Sequence, residues 1–420
     1  MMINELLPQQ YGDFMKIVQI NAVYEKYSTG RTTKEMHEYF LSQNIDSYVA
    51  APDLNGCSIN AYKIGNSFDR KLHAVFSRVL GLQGYFSIIP TFGLIRYLDR
   101  IHPNVIILRN LHSNYINIKM ITKYIAKRKI PTIIVLHDCW FYTGKCVYYI
   151  EDNCDKWRQN CGNCPALRKG NTSLFFDRSR KMLTDKKKWF SEIDRLAVVG
   201  VSKWVSDDAA KSILKNAVHT YIYNWIDLEK FKRRDQKVLK EKYGLENRIV
   251  VLGIAAIWST SKGIGVFNEL ADNMSSEYTV VLVGDTSNVR EKKESIYYMG
   301  SIADVDKLID MYSLADVFIN PSIQETFGKT TAEAISCGTP VVAYNGTATP
   351  EIIGDDESCG ILINSLNYKD YIDAIIKIVN SKVDYHSTCR KRAQKLFDKS
   401  TNIAKYMQLI QTLTNDLRDD

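Results

Sequence analysis

The sequence predicts an α/β protein made of two doubly wound, parallel-sheet halves, and three observations lead there. At 420 residues the chain is too long for one comfortable core and suits two large domains. Short β-branched apolar runs recur between helix-length polar segments, the pattern of parallel strands joined by crossover helices. The series of runs occurs twice, on either side of a charged connection at 222–237.

In the first half, MKIVQINAV at 15–23 reads as a strand. A Ser-Thr-Gly turn and a helical stretch at 32–43 follow it, and further strand-like runs lie at 104–108, 131–136 and 196–201. The second series begins with IVVLGIAAI after Arg248 and continues at 278–284, 315–322 and 339–345. The expected domains are 15–224 and 225–400, facing each other across a cleft at the carboxyl ends of both sheets. Residues 1–14 read as a disordered lead, and the stretch 401–420 as a helix crossing back to the first domain.

Composition narrows the class. With 45% hydrophobic and 24% charged residues, the chain has the balance of an ordinary globular protein and not that of collagen or a disordered tail. No run of 18 apolar residues exists, and the opening segment lacks the basic and apolar parts of a signal peptide. The expected location is the cytoplasm, where thiols stay reduced. The net charge of +8 is unevenly spread, with a basic cluster between Lys156 and Lys188 that could meet nucleic acid, an anionic bilayer or a phosphate-bearing substrate; a solvated helix face is the even alternative. Neither a helix-turn-helix nor an aromatic RNA platform is present in the pattern, so nucleic acid is not an expected partner.

The richest segment is INPSIQETFGKTTAEAISCGTPVVAYN. A buried strand ends at Pro321, a polar loop follows, and a helix runs over 329–336 until Cys337-Gly338 and Pro340 stop it. A helix starting at a strand's carboxyl end aims its unpaired N–H groups and positive dipole where a diphosphate can sit. Gly328 permits close backbone approach. Glu325 in the loop and Glu333 in the helix can serve one ligand, because a carboxylate commonly grips the paired hydroxyls of a ribose. As isolated residues they would read as surface charges; the strand–loop–helix–Gly-x-Pro–strand unit around them reverses that.

The run 321–343 resembles the Glu-x7-Glu signature of family 4 retaining glycosyltransferases of GT-B fold, whose two domains are Rossmann-like. Thr29-Gly30-Arg31 resembles the family's glycine loop, His137-Asp138 its active-site histidine, and Ser261-Lys262-Gly263 its donor-phosphate lysine. VGVSKW and NWIDLEKF match its interdomain landmarks. HDCWFYTGKC resembles a branch linked to bacterial exopolysaccharide, capsule or colanic-acid-type assembly.

The resemblance implies a nucleotide-diphosphate sugar as donor and a glycan or lipid-diphosphate-linked molecule as acceptor. It gives Glu333 the nucleotide ribose and Glu325 the transferred sugar. It gives the backbone of Thr326, Phe327 and Gly328, with Lys329, the sugar hydroxyls or diphosphate, and Lys262 the leaving phosphate. Gly30 would let the first loop approach that diphosphate, and His137 would contact sugar or acceptor. The resemblance implies no cofactor for the chemistry. One departure stands out: where the family places an arginine before the phosphate lysine, this chain reads AAIWSTSK. Either Lys329 or Arg31 supplies the second charge, or diphosphate binding is weaker.

Five of nine cysteines fall between Cys139 and Cys164. Cys146, Cys154, Cys161 and Cys164 have spacings from which four thiolates could close a structural zinc site; free thiols or a disulfide are the alternatives. The aromatic and basic run 173–190 could lie on the inner membrane surface or be a plain surface helix. Competing readings of the whole chain are a nucleotide-sugar 2-epimerase of the same fold and a degenerate, non-catalytic transferase subunit.

Overall fold

The structure, a computed structural model, describes residues 15–57 and 59–415. The expected lead at 1–14 and the last residues of the closing helical stretch lie outside the described residues. The described residues divide into two compact units, one running up to residue 222 and joined by those from 403 on, the other spanning 223–402.

In the first unit the strands are β1 (Lys16–Ile20), β2 (Asp46–Ala51), β3 (Ala61–Lys63), β4 (Val105–Leu108), β5 (Thr132–Leu136), β6 (Leu196–Gly200) and β7 (Val218–Tyr221). They pair in parallel in the order β3-β2-β1-β4-β5-β6-β7. In the second unit β8 (Ile249–Ile257), β9 (Tyr278–Asp285), β10 (Ile296–Tyr298), β11 (Val317–Asn320), β12 (Val341–Tyr344) and β13 (Gly360–Ile363) form a parallel sheet in the order β10-β9-β8-β11-β12-β13. Each order reverses at its first strand. The β1/β4 and β8/β11 junctions are therefore the topological switch points, where ligands bind in open α/β sheets.

Burial follows the residue pattern. All residues of β4, β5, β6 and β11 are buried, as apolar strands covered on both faces must be. Burying each Val, Leu or Ile side chain contributes about 1.5–3 kcal/mol. The helix Tyr27–Ser42 begins earlier than its residue types suggest, and buries Thr32, Thr33, Met36, His37 and Phe40.

The helix Ser67–Leu80 carries a buried, neutral histidine. The Gly84 N–H donates to His73 Nε2 at 3.2 Å, so the ring proton sits on Nδ1, 2.7 Å from Ser87 Oγ. Burial pushes the His73 pKa down to about 4. Because the folded value lies below the unfolded one, the stabilisation is full above pH 6.5 and is lost as pH falls toward 4. The expected loss is about 3 kcal/mol. Urea unfolding at pH 4.5 and 7.5 should show that difference shrinking in His73→Asn.

Candidate active site

In the second unit the site forms on the two sides of the β8/β11 switch point. After β11, the Asn320 side chain fastens the loop: Nδ2 donates to Thr331 Oγ1 at 2.9 Å, and Oδ1 accepts from the Ser322 N–H at 3.2 Å. Gly328, at φ 84°, precedes the helix Lys329–Ser336. After β8 the chain turns at Thr260–Lys262 and passes through Gly263 at φ 75°. A Cβ on Gly263 would come within 2.4 Å of Pro321 Cγ, so only glycine lets this turn lie against Pro321. That close approach brings two of the expected residues together. Lys262 Nζ donates to Glu325 Oε1 at 2.6 Å and to Ser322 Oγ at 3.4 Å.

Glu333 is only 4% exposed, so it is not the surface charge an isolated glutamate would be. Its Oε2 accepts from the Tyr312 hydroxyl at 2.9 Å. Tyr312 lies in the helix Val305–Leu314, and nothing in the Glu-x7-Glu motif announces it. The Phe327 side chain is buried, with its ring edge-on to Phe397 at 5.6 Å, so the side chain anchors the loop. Thr326 is buried beside it, and Lys329 opens the helix, where N–H groups have no intrahelical acceptor. At the other end of that helix Arg390 donates to the Ser336 carbonyl at 2.9 Å, and to those of Phe231 and Leu228 at 2.6 and 2.7 Å. It thereby closes the helix and ties it to the NWIDLEKF segment.

The arginine slot holds no cation. Ile257 is 52% exposed, while Trp258 is buried, its Nε1 donating to the Val283 carbonyl at 3.0 Å and its N–H to that of Asp285 at 2.8 Å. Trp258 thus serves the sheet.

In the first unit His137 follows β5, and Arg109 follows β4. Arg109 Nη1 lies 3.1 Å from His137 Nε2 and donates to Thr32 Oγ1 at 3.2 Å, so the contact bridges the β1/β4 switch point. A guanidinium has no acceptor, so His137 Nε2 accepts and the ring proton sits on Nδ1. Arg109 is 1% exposed; burial pulls its pKa down to about 10, which leaves it cationic at neutral pH. It was not named from the sequence, where its only signal is an arginine ending the apolar run 104–108. Substituting Arg109→Leu should remove the donor that fixes the His137 tautomer and slow turnover on the order of tenfold. Nitrogen-15 NMR of the ring and steady-state rates check both.

Asp138 is held differently. His112 Nε2 lies 2.8 Å from Oδ2, and the Trp140 N–H donates to Oδ1 at 2.8 Å. Burial pushes the Asp138 carboxyl up, but these partners hold it below its ordinary value. Lys186, buried beneath this turn, donates to the Trp140 and Thr143 carbonyls at 2.5 and 3.0 Å. The basic cluster is correspondingly not one free face: Lys169 pairs with Asp152 at 2.6 Å and Lys181 with Asp185 at 2.8 Å.

Two expectations change. Gly30 lies in the first turn of the helix Tyr27–Ser42, not in a loop, and a Cβ there would meet the Glu25 backbone nitrogen at 3.0 Å. Its bareness serves the approach of that turn to the chain's own preceding loop. The four cysteines Cys146, Cys154, Cys161 and Cys164 do line one cavity of about 10 Å³. However, the Cys146 and Cys164 thiols hydrogen-bond to each other, and no group of three or more His, Cys, Asp or Glu among the described residues is disposed to hold a metal ion. Structural zinc is not supported.

Comparison with known proteins bears on the fold and on residues 235–396. Residues 235–396 match the family model for glycosyl transferases group 1. WcaC of Escherichia coli K12, named as a colanic acid biosynthesis glycosyl transferase, is 24% identical over 60% of this chain and 62% of its own. A 41.2 kDa protein of the Klebsiella pneumoniae cps region is 28% identical over 47% of this chain and 56% of its own. The chain thus spans about three fifths of the length of these curated relatives. Among solved structures, a sucrose-phosphate synthase from Thermosynechococcus elongatus superposes with TM-score 0.70 at 15% identity, over 96% of this chain and 100% of that one. HepE of Anabaena, in complex with UDP and glucose, does so with TM-score 0.68 at 14% identity, over 95% and 100%. The fold is that of the GT-B glycosyltransferases. Within that fold, residues 235–396 are the part that resembles glycosyl transferases group 1.

Proposed function

We propose that the protein is a retaining glycosyltransferase that moves a hexose-type sugar from a nucleotide-diphosphate sugar to a glycan or lipid-linked acceptor in bacterial surface polysaccharide synthesis. The observation that carries this reading is the Lys262–Glu325 contact at the β8/β11 switch point, beside the helix that holds the buried Glu333. Glu333 binds the ribose hydroxyls, Lys262 and the helix N-terminus neutralise the diphosphate, and Glu325 faces the sugar as positive charge develops at its anomeric carbon. The bond from that carbon to the diphosphate breaks, the acceptor oxygen bonds on the same face, and the departing phosphate oxygen takes the acceptor's proton. The relatives named for colanic acid and for an O-antigen chain mannosyltransferase support the surface-polysaccharide setting.

No helix among the described residues is long and apolar enough to cross a membrane. Peripheral contact with the inner membrane, through the exposed Leu174, Phe175 and Phe176 beside basic residues, belongs to the same proposal. Thermal unfolding with a panel of UDP- and GDP-sugars tests donor binding. One sugar at a hundred times its Kd should stabilise by about 2.7 kcal/mol. No shift with any member would count against the reading.

A further inference from the structure

The first unit contains a cavity of about 330 Å³, within the usual size of small-molecule sites. Its wall includes Arg70, Arg78 and Lys145 but no Asp or Glu. Among the described residues no carboxylate lies within ion-pair distance of any of the three. Lys145 is buried, and its Nζ is held by the Ala166 and Leu167 carbonyls at 3.1 and 2.5 Å, neither of which neutralises its charge. Three cations without an ion-pair contact converge on one cavity, with Asp177 and Asp53 acting on Lys145 and Arg70 only at longer range, and such a wall suits an anion.

The wall is also pre-formed. Gln83 Nε2 donates to Asn171 Oδ1 at 3.0 Å, Gln83 Oε1 accepts from Trp140 Nε1 at 3.1 Å, and Asn171 Nδ2 donates to the Lys145 carbonyl at 3.2 Å. Such a network holds the donors in place before the ligand arrives. His112 lines the same cavity and reaches Asp138, the neighbour of His137, at 2.8 Å. A second cavity of about 270 Å³ shares Arg70, Ser113 and Asn114 with the first and adds Lys71, so the basic track extends along the helix Ser67–Leu80.

We propose that this cavity binds a phosphate-type anion carried by the acceptor, gripped by Arg70, Arg78 and Lys145 and connected to His137 through His112 and Asp138. That assignment of the anion to an acceptor rests on the transferase reading; the binding of phosphate itself does not.

Inorganic pyrophosphate and calorimetry test it, in a Lys262→Ala background that removes the donor-side cation. Adding R70Q and R78Q, neither of which sits in the core, should weaken pyrophosphate binding about tenfold or more, because charge-assisted contacts to phosphate are lost. Co-sedimentation with phosphatidylcholine vesicles containing phosphatidate identifies the source. Arginine-dependent capture means a lipid-borne phosphate, and pyrophosphate binding without capture means a soluble one. If the K262A protein binds neither probe, or the arginine variant binds them as tightly, the proposal is wrong. Nucleotide-sugar binding by R70Q/R78Q, read separately, shows whether the donor reading stands independently of that result.

Discussion

Substituting Glu325→Gln is expected to slow sugar transfer by about 10²- to 10³-fold while leaving the donor's Kd within roughly a factor of three. The reasoning starts from charge. As the anomeric carbon loses its phosphate, positive charge builds on the sugar and negative charge on the leaving group. A carboxylate and an ammonium held 2.6 Å apart across the β8/β11 switch point are placed to stabilise the two halves of that separation. Both are fixed beforehand, Lys262 by the tight Gly263–Pro321 contact and Glu325 by its N–H donating to Thr347 Oγ1 at 2.9 Å. Glutamine keeps the shape and removes the charge, so the ground state should be little affected and the transition state strongly so. Steady-state release of nucleotide at saturating donor, set beside calorimetric Kd values, separates the two. A mutant that loses affinity and rate equally would assign Glu325 to binding alone.

Glu333→Ala should show the opposite split. Loss of a hydrogen-bonded charged group is worth about 1.5–3 kcal/mol, so donor affinity should fall by about 10- to 150-fold, with kcat changed much less. The substitution also leaves the buried Tyr312 hydroxyl without its acceptor, which should lower the stability of the second unit by about 1–3 kcal/mol. Tyr312→Phe is the control. It removes the orienting hydroxyl and keeps the carboxylate, so its effect on affinity should be the smaller one. Calorimetry with the stabilising nucleotide sugar and urea unfolding of the three proteins check both parts.

How far these residues could be read without coordinates depended on the range of the interaction. The inner strands β4, β5, β6, β8, β9, β11 and β12 stand out because strands buried on both faces are unbroken apolar runs. The edge strands β3 and β10 have three residues each, and β7, VHTY, has no buried residue, so none has a run to recognise. The strands β2 and β13 were also passed over; DSYVAA opens on polar residues and GILI is four residues long.

The helix Lys329–Ser336 was legible to its ends because Gly328 and the Cys337-Gly338-Thr-Pro stop are local signals. The helix Tyr27–Ser42 was not. STGRTT combines glycine with residues of low helix propensity and reads as a turn, and tertiary burial of Thr32 and Thr33 overrides that preference.

Among the candidate residues of the two units, Glu325, Glu333, Lys262 and His137 each stood in a motif or beside a strand end, so residue type and local context sufficed to single them out. Their partners did not. Tyr312 is 21 residues from Glu333, Arg109 is 28 from His137, and Arg390 is 54 from Ser336; no periodicity links such pairs. The cysteine spacing was likewise silent on which way each thiol points, and among the described residues no group of three or more His, Cys, Asp or Glu is disposed to hold a metal ion.

The most direct test is the release of free nucleotide diphosphate from the stabilising nucleotide sugar, followed in time for wild type and E325Q. Wild type should release it slowly without acceptor and faster when a membrane extract supplies one, and E325Q should be slower by about two orders of magnitude. Equal release by wild type and E325Q, or no release from any nucleotide sugar with or without extract, would contradict the assignment of this site as the centre of sugar transfer.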